Sequence, residues 1–292
     1  MAAFVVASLA ICWPAISALT VFSFHHEFSS HVLLIPALSL YLLYMERRVV
    51  FREVRSSLAL GSALILTGAA LYWSAMVHAS LQSPAEFLPG STLAMVVIWT
   101  GGFLICYGFR AWRAAAFPLL FLLLMVPLPE QVLARTIYFL QEGSTSLSFF
   151  LFKLVGTPAF RQGFLISVPG QTIEVAKECS GIRSSIALFI TCLLAAHLFL
   201  RTPWKILLFV VLVLPVSIVK NAIRIVTLTL LSIHVDPGFL RGNLHHDGGF
   251  FFFLLALAIL FPVLLLLQKS EQRPAGSSTV IPADPTSGLA RG

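Results

Sequence analysis

The sequence predicts an all-α polytopic membrane protein with about eight transmembrane helices and one small outward-facing hairpin. Composition and the spacing of its apolar runs carry that prediction. Hydrophobic residues make up 58% of the 292, charged residues 11%, and mean hydropathy is +0.94. Soluble domains hold roughly 45–50% apolar and about 25% charged residues. A bilayer core takes about 20 apolar residues per helix, and apolar segments recur at 3–22, 31–45, 57–78, 91–109, 114–127, 181–200, 204–230 and 249–267. Several spans fit this length, and a sizeable soluble domain does not.

The first apolar stretch lacks a basic leader and a small-residue cleavage site, so it reads as a retained span. Nineteen Lys and Arg against twelve Asp and Glu give a net charge of +7, yet no basic run exceeds the pair Arg47-Arg48. That pattern speaks for basic loops at a membrane and against nucleic acid. Basic residues follow the second span (Arg47, Arg48, Arg52, Arg55), the fourth (Arg110, Arg113), the sixth (Arg201, Lys205) and the eighth (Lys269, Arg273). The positive-inside rule makes these four connections cytoplasmic. The connections 23–30, 79–90, 128–180 and 231–248 then face outward. Residues 131–156 carry Arg135, Gln141, Glu142 and Lys153 in an apolar pattern. They read as an interfacial or re-entrant helix whose polar residues reach water, since one extra crossing would invert every later span. Gly163 to Val175 alternates around Val168-Pro169-Gly170, which predicts the hairpin. The polytopic unit is expected over 1–270, with its catalytic half at about 160–267. The Pro/Gly/Ser/Thr-rich stretch 271–292 is expected to be a disordered cytoplasmic tail.

Three side chains stand out at the outward ends of these spans. Cys179 opens the sixth span between Lys177, Glu178 and Arg183, where a helix N-terminus favours the thiolate. Cys12, Cys106 and Cys192 sit within apolar runs and read as inert. Four scattered cysteines form neither a CxxC pair nor a zinc-ligand spacing. Arg224 lies 20 residues beyond Trp204, about 30 Å along a helix and near the outer hydrocarbon edge. Asn221 and Lys220 share its helix, and Lys220 reads as a side chain snorkelling to the headgroups. His245 and His246 precede the eighth span beside Asp247; adjacent histidines rarely share one ion, so metal is not expected. His25, His26 and His31 fall to the outer loop or to substrate approach, and His78 and His197 to headgroup contact. A cysteine nucleophile, a proton-shuttling histidine and an arginine for developing negative charge together suit acyl transfer. A transporter or channel lined by Lys220, Asn221 and Arg224, or a noncatalytic scaffold for polysaccharide assembly, would account for the spans but not for Cys179.

Glu174-Val175-Ala176 to Cys179-Ser180-Gly181-Ile182-Arg183, then Asn221-Ala222-Ile223-Arg224-Ile225, then His245 followed by Gly248-Gly249, resemble the ordered motifs of the exosortase/archaeosortase family. Phe28-Ser29-Ser30-His31 to Leu34-Ile35-Pro36 is similar to the family's Tyr-Ser-His-Gly and Ile-Pro segment. Phe117-Pro118 to Pro127-Leu128-Pro129 is similar to its central proline-bounded span. The resemblance covers most of residues 20 to 267. It departs at Phe28, where Tyr is usual, and at Val32, where Gly is common, and no appended second domain follows the last span.

The resemblance implies a membrane cysteine protease/transpeptidase that recognises a carboxy-terminal sorting signal. Such a signal has a Pro-Glu-Pro type motif, an apolar span and a basic cluster, and its processing is linked to exopolysaccharide or surface export. It implies Cys179 as nucleophile, Arg224 as the arginine and His245 as the histidine, with Arg183, Asn221 and His31 expected at the substrate. His245 rather than His246 matches, because the family's histidine stands four residues before its glycine, as His245 does before Gly249. No cofactor is expected. The expected partners are membrane-anchored substrate proteins and the bilayer, and the expected site is the outer face of the cytoplasmic membrane.

Overall fold

A computed structural model describes residues 2–25, 29, 31–77, 79, 83–176, 181–236 and 249–272. In chain order these form α1 (Ala2–Ile11), α2 (Trp13–His25), α3 (Leu34–Met45), α4 (Arg47–Val50), α5 (Leu58–Val77), α6 (Pro84–Ala114), α7 (Ala116–Phe121) and α8 (Glu130–Leu154). A three-stranded sheet follows, β1 (Phe160–Gln162), β2 (Leu165–Val168) and β3 (Gln171–Glu174). The chain closes with α9 (Ile182–Phe199), α10 (Pro203–Val211), α11 (Val213–His234) and α12 (Gly249–Gln272).

Among the described residues, five helices are long and apolar enough to cross a membrane: α5, α6, α9, Pro203–His234 and Gly249–Glu271. The count reaches seven if each of two bent pairs is one span, and α3 adds a shorter apolar helix. The protein is thus an all-α polytopic membrane protein. The segment expected at 3–22 is α1 and α2, bent by 71°. The connection expected at 79–90 is partly helical, because Pro84 occupies the first turn of α6, where its missing N–H has no partner to lose.

The largest departure concerns 114–156. A helix of ten residues, Ala116–Met125, ends in a 3-10 turn and meets α8 at 89°. Pro127 and Pro129 push Val126 and Leu128 out of helical conformation, and Val126 is extended with ψ 117°. Ten helical residues rise about 15 Å, half a bilayer core, so 114–127 is not a complete span. Phe117 stacks on His197, whereas Phe152 near the end of α8 packs with the sheet, and the bent pair has the form of a broken span or of a re-entrant loop. Of the polar residues expected to reach water, Arg135 and Lys153 are exposed and Glu142 is half-buried, whereas Gln141 is buried; Ser144, Thr145 and Ser148 are buried with it.

The expected hairpin is β2–β3, antiparallel with Val168 opposite Gln171, so Pro169-Gly170 forms a two-residue turn with Gly170 at φ +87°. Strand β1 extends it through the pairing of Gln162 with Leu165. One apolar core joins α2, α3, α6 and α7 and receives Ile190 of α9; a second joins α9, α10, α11 and α12; a third joins Phe152 of α8 and the sheet to Ile225 and Val226 of α11.

The basic connections gather at one end. Arg110 pairs with Glu53, the Arg55 N–H donates to the Tyr107 carbonyl at 3.3 Å, and His197 meets Glu46 at 2.8 Å. Glu271 accepts the backbone N–H groups of Arg201 and Thr202 at 3.0 and 2.9 Å, and Lys205 donates to Ser270 at 2.8 Å. Two expectations are corrected by these contacts. His197 pairs with Glu46 and stacks on Phe117 instead of meeting headgroups, and Glu271 ends α12 instead of opening the tail. Residues 273–292 and His78 lie outside the described residues.

Candidate functional site

At the end opposite the basic connections, polar stripes from three helices converge. On α11, Ser217, Lys220, Asn221 and Arg224 recur at helical spacing on one face. Lys220 is 2% and Asn221 1% exposed, and Arg224 is half-buried. On α8, Gln141, Ser144, Thr145 and Ser148 repeat the same spacing and are buried. The first turn of α9 adds Ser184 and Ser185. Asn221 Nδ2 donates to Ser144 Oγ at 3.0 Å, and Lys220 Nζ donates to Ser184 Oγ. Lys220 therefore does not snorkel. Its charge lies inside the α9–α11 contact, where the first turn of α9 covers it.

Gly181 shapes that turn. It takes φ +73°, and an added Cβ would stand 2.9 Å from Asn221 Oδ1, so position 181 is closed to side chains on both counts. Its carbonyl accepts from Ser184 Oγ at 3.0 Å, Ser185 Oγ at 2.8 Å and the Ser185 N–H at 2.9 Å. The helix thus starts without a side-chain cap, and the Ser184 and Ser185 hydroxyls instead tie its first turn to the Gly181 carbonyl.

Cys179, His245 and His246 lie outside the described residues, and so does Lys177–Ser180 as a whole. The flanks of that quartet are described. On one side Val175, 1% exposed, packs in the core that contains Phe152, Ile225 and Val226, and its carbonyl accepts from Gln141 Nε2. On the other, the open side of Gly181 faces Asn221. The flanks are thus near α11 residues that precede and follow Arg224 in the helix. Gly249, four residues after His245, begins α12, whose far end binds Arg201 and Thr202 through Glu271. Twenty-two helical residues separate the two, about 33 Å at 1.5 Å per residue, which puts Gly249 at the end where α9 starts.

The expected substrate residues divide. Asn221 belongs to the cluster. Arg183 stands exposed on the first turn of α9. His31 is half-buried and lines a cavity of about 190 Å³ with Phe22, Ser29, Pro127, Leu133 and Ile186. Leu133 and Ile186 also pack on Ile182, which joins this cavity to the start of α9. A wider groove of about 710 Å³ runs between α8 and the hairpin, lined by Glu130, Tyr138, Gln141, Phe164, Glu174 and Ala176. Cys12 and Cys192 are buried and Cys106 half-buried, all three free thiols. Among the described residues no group of three or more His, Cys, Asp or Glu could hold a metal ion. Sequence reasoning missed Ser144, Ser148 and Ser184; their signal was the helical spacing of small polar residues in two apolar runs.

No curated protein and no solved structure matches the chain. A family model described as transmembrane exosortase does match, over residues 21–262, which takes in α3 through most of α12 and every element of the polar cluster. The chain belongs to the transmembrane exosortase family.

Proposed function

We propose that the protein is a membrane cysteine protease/transpeptidase that cleaves carboxy-terminal sorting signals at the outer face of the cytoplasmic membrane. Its substrates are membrane-anchored proteins ending in a Pro-Glu-Pro type motif, an apolar span and basic residues. The Cys179 thiolate attacks the scissile carbonyl, and Arg224 stabilises the oxyanion that forms. Collapse breaks the C–N bond as His245 gives its proton to the leaving amine, and a thioester to Cys179 remains. Water, or an acceptor amine or hydroxyl, then takes the acyl group and returns the thiol. Asn221, Arg183 and His31 bind substrate. The groove bordered by Ala176 offers the extended chain an approach, and the substrate's own span enters between helices from the bilayer.

One observation carries this reading: of the flanks of 177–180, Gly181 faces Asn221 and Val175 shares a core with Ile225 and Val226, the α11 residues before and after Arg224. Cys179 is two residues from Gly181, so its Cα stays within about 7 Å of that of Gly181, and Arg224 is one helical turn from the Asn221 that Gly181 faces. A transporter or scaffold would have no use for that tether. The test is Cys179→Ala, measured as the cleaved fraction of a co-expressed substrate carrying a sorting signal. We expect processing to stop at unchanged protein level in the membrane. Full processing by this variant would refute the nucleophile.

A further inference from the structure

Lys220 has no part in the chemistry proposed above, yet it occupies a costly place. An ammonium on an apolar helix is tolerated where it can reach water or a carboxylate. Lys220 is 2% exposed, and its Nζ donates to Ser184 Oγ across the α9–α11 contact. Arg224, a second cation, stands one turn further along the same helix. The bond to Ser184 leads onward. The Ser184 hydroxyl donates to the Gly181 carbonyl at 3.0 Å, Gly181 faces Asn221 with space for no Cβ between them, and Asn221 Nδ2 donates to Ser144 Oγ of α8 at 3.0 Å. Lys220 thus ties the first turn of α9 to α11, and the adjacent Asn221 ties α11 to α8, both one turn from Arg224. A hydroxyl that accepts from an ammonium becomes a stronger donor, so the charge of Lys220 tightens the Ser184 bond to Gly181.

We propose that Lys220 is a positioning residue of the cleavage reaction, holding the Gly181 turn against Arg224 through Ser184. The inference rests on the reading of Cys179 and Arg224 as the reacting pair. The two cations of one helix face then have different roles, since Arg224 meets developing charge, whereas Lys220 touches no substrate and acts through α9. A side chain that only filled space would be replaceable by an apolar residue of similar length. A positioning side chain is replaceable by another cation that reaches the hydroxyl.

The experiment measures kcat and KM of the purified full-length protein in lipid nanodiscs against a sorting-signal substrate protein. It compares Lys220→Met, Lys220→Arg, Ser184→Ala and the double variant Lys220→Met/Ser184→Ala. We expect Lys220→Met to lower kcat by between about tenfold and a hundredfold, as misplaced reacting groups do, with KM within about twofold. Lys220→Arg should recover most of that loss, and the double variant should be no worse than Lys220→Met, as for two members of one path. Wild-type kcat in Lys220→Met, a failure of Lys220→Arg to recover, or losses that multiply in the double variant would overturn the proposal. Should Lys220→Met fail to accumulate, Ser184→Ala decides alone: a lower kcat at constant KM supports the role, and a wild-type kcat removes it. Cys179→Ala run in parallel keeps the two readings apart. If it still cleaves, the nucleophile is wrong whatever Lys220 does. If it is inactive while Lys220→Met is normal, only the positioning role falls.

Discussion

Arg224 and Lys220 show how little a residue type says until its partners are known. Both are cations on one face of α11, four residues apart, and both interrupt apolar sequence. The one is half-buried at the level where the flanks of Cys179 meet the helix; the other is closed off by Ser184. Guanidinium offers planar paired donors that an ammonium cannot imitate, so Arg224→Lys should lose processing nearly as fully as Cys179→Ala. For the proton donor the relevant contrast is His245 against His246. Adjacent side chains on a helix or tight turn point roughly 100° apart, so in the proposed mechanism only one of the two can face a thiol and a leaving amine. His245→Ala should stop processing and His246→Ala should leave most of it, read as cleaved fractions side by side. Inactivity of His246→Ala alone would shift the register by one residue. Lys220 and Arg224 were legible in the sequence because charge is rare in apolar runs. Ser144 and Ser184 were not, because a serine in a membrane helix usually bonds its own backbone, as Ser62 does with the Ala59 carbonyl, and only the neighbouring helix turns it into a link.

At the scale of elements, the hairpin was readable from local chemistry alone. Pro169-Gly170 sets the turn and the alternation on either side sets the strands. Strand β1 was not, since three residues carry no periodicity. Helix α8 was visible as a helix, but its role depended on α11. With Gln141, Ser144, Thr145 and Ser148 matched by the polar face of α11, it is an inner wall of the site and not a surface segment. Small residues do the same service between α5 and α6. An added Cβ at Gly61 would come within 2.8 Å of the Gly101 carbonyl oxygen and 2.9 Å of the Ile105 nitrogen, whereas at Gly90 it would meet only Ala75 at an ordinary 3.5 Å. Backbone cannot yield as a side-chain tip can. Gly61→Ala should therefore destabilise the protein by about 1–3 kcal/mol, the usual cost of overpacking, seen as a lower thermal midpoint in nanodiscs. Gly90→Ala should match the wild type or exceed it, because alanine favours the helix. Equal midpoints for the two would mean that α5 and α6 are not held this closely.

For the whole molecule the question is which end faces which side of the membrane. The structure brings 46–57, 107–117, 197–205 and 269–271 to one end through Glu46–His197, Glu53–Arg110, Phe117–His197 and Glu271–Thr202. Those are the four connections with basic residues, so the charge bias is a property of one end and not an average over loops. The polar cluster and the sheet occupy the other end. The 89° bend at 126–129 falls inside the segment that the sequence divided between a span and an interfacial or re-entrant helix. The proposed orientation, with the basic end in the cytoplasm and the site outside, follows from the positive-inside rule. The prediction uses a chain with its four native cysteines replaced by serine, into which Ser56→Cys, Thr202→Cys or Thr172→Cys is introduced singly. Ser56 and Thr202 belong to the basic end, and Thr172 is exposed on β3. A membrane-impermeant thiol reagent added to sealed cells should label Thr172→Cys and leave the other two until the membrane is opened. The reverse pattern would place the site in the cytoplasm, and equal labelling of Thr172→Cys and Ser56→Cys would mean that the two ends share one side of the membrane.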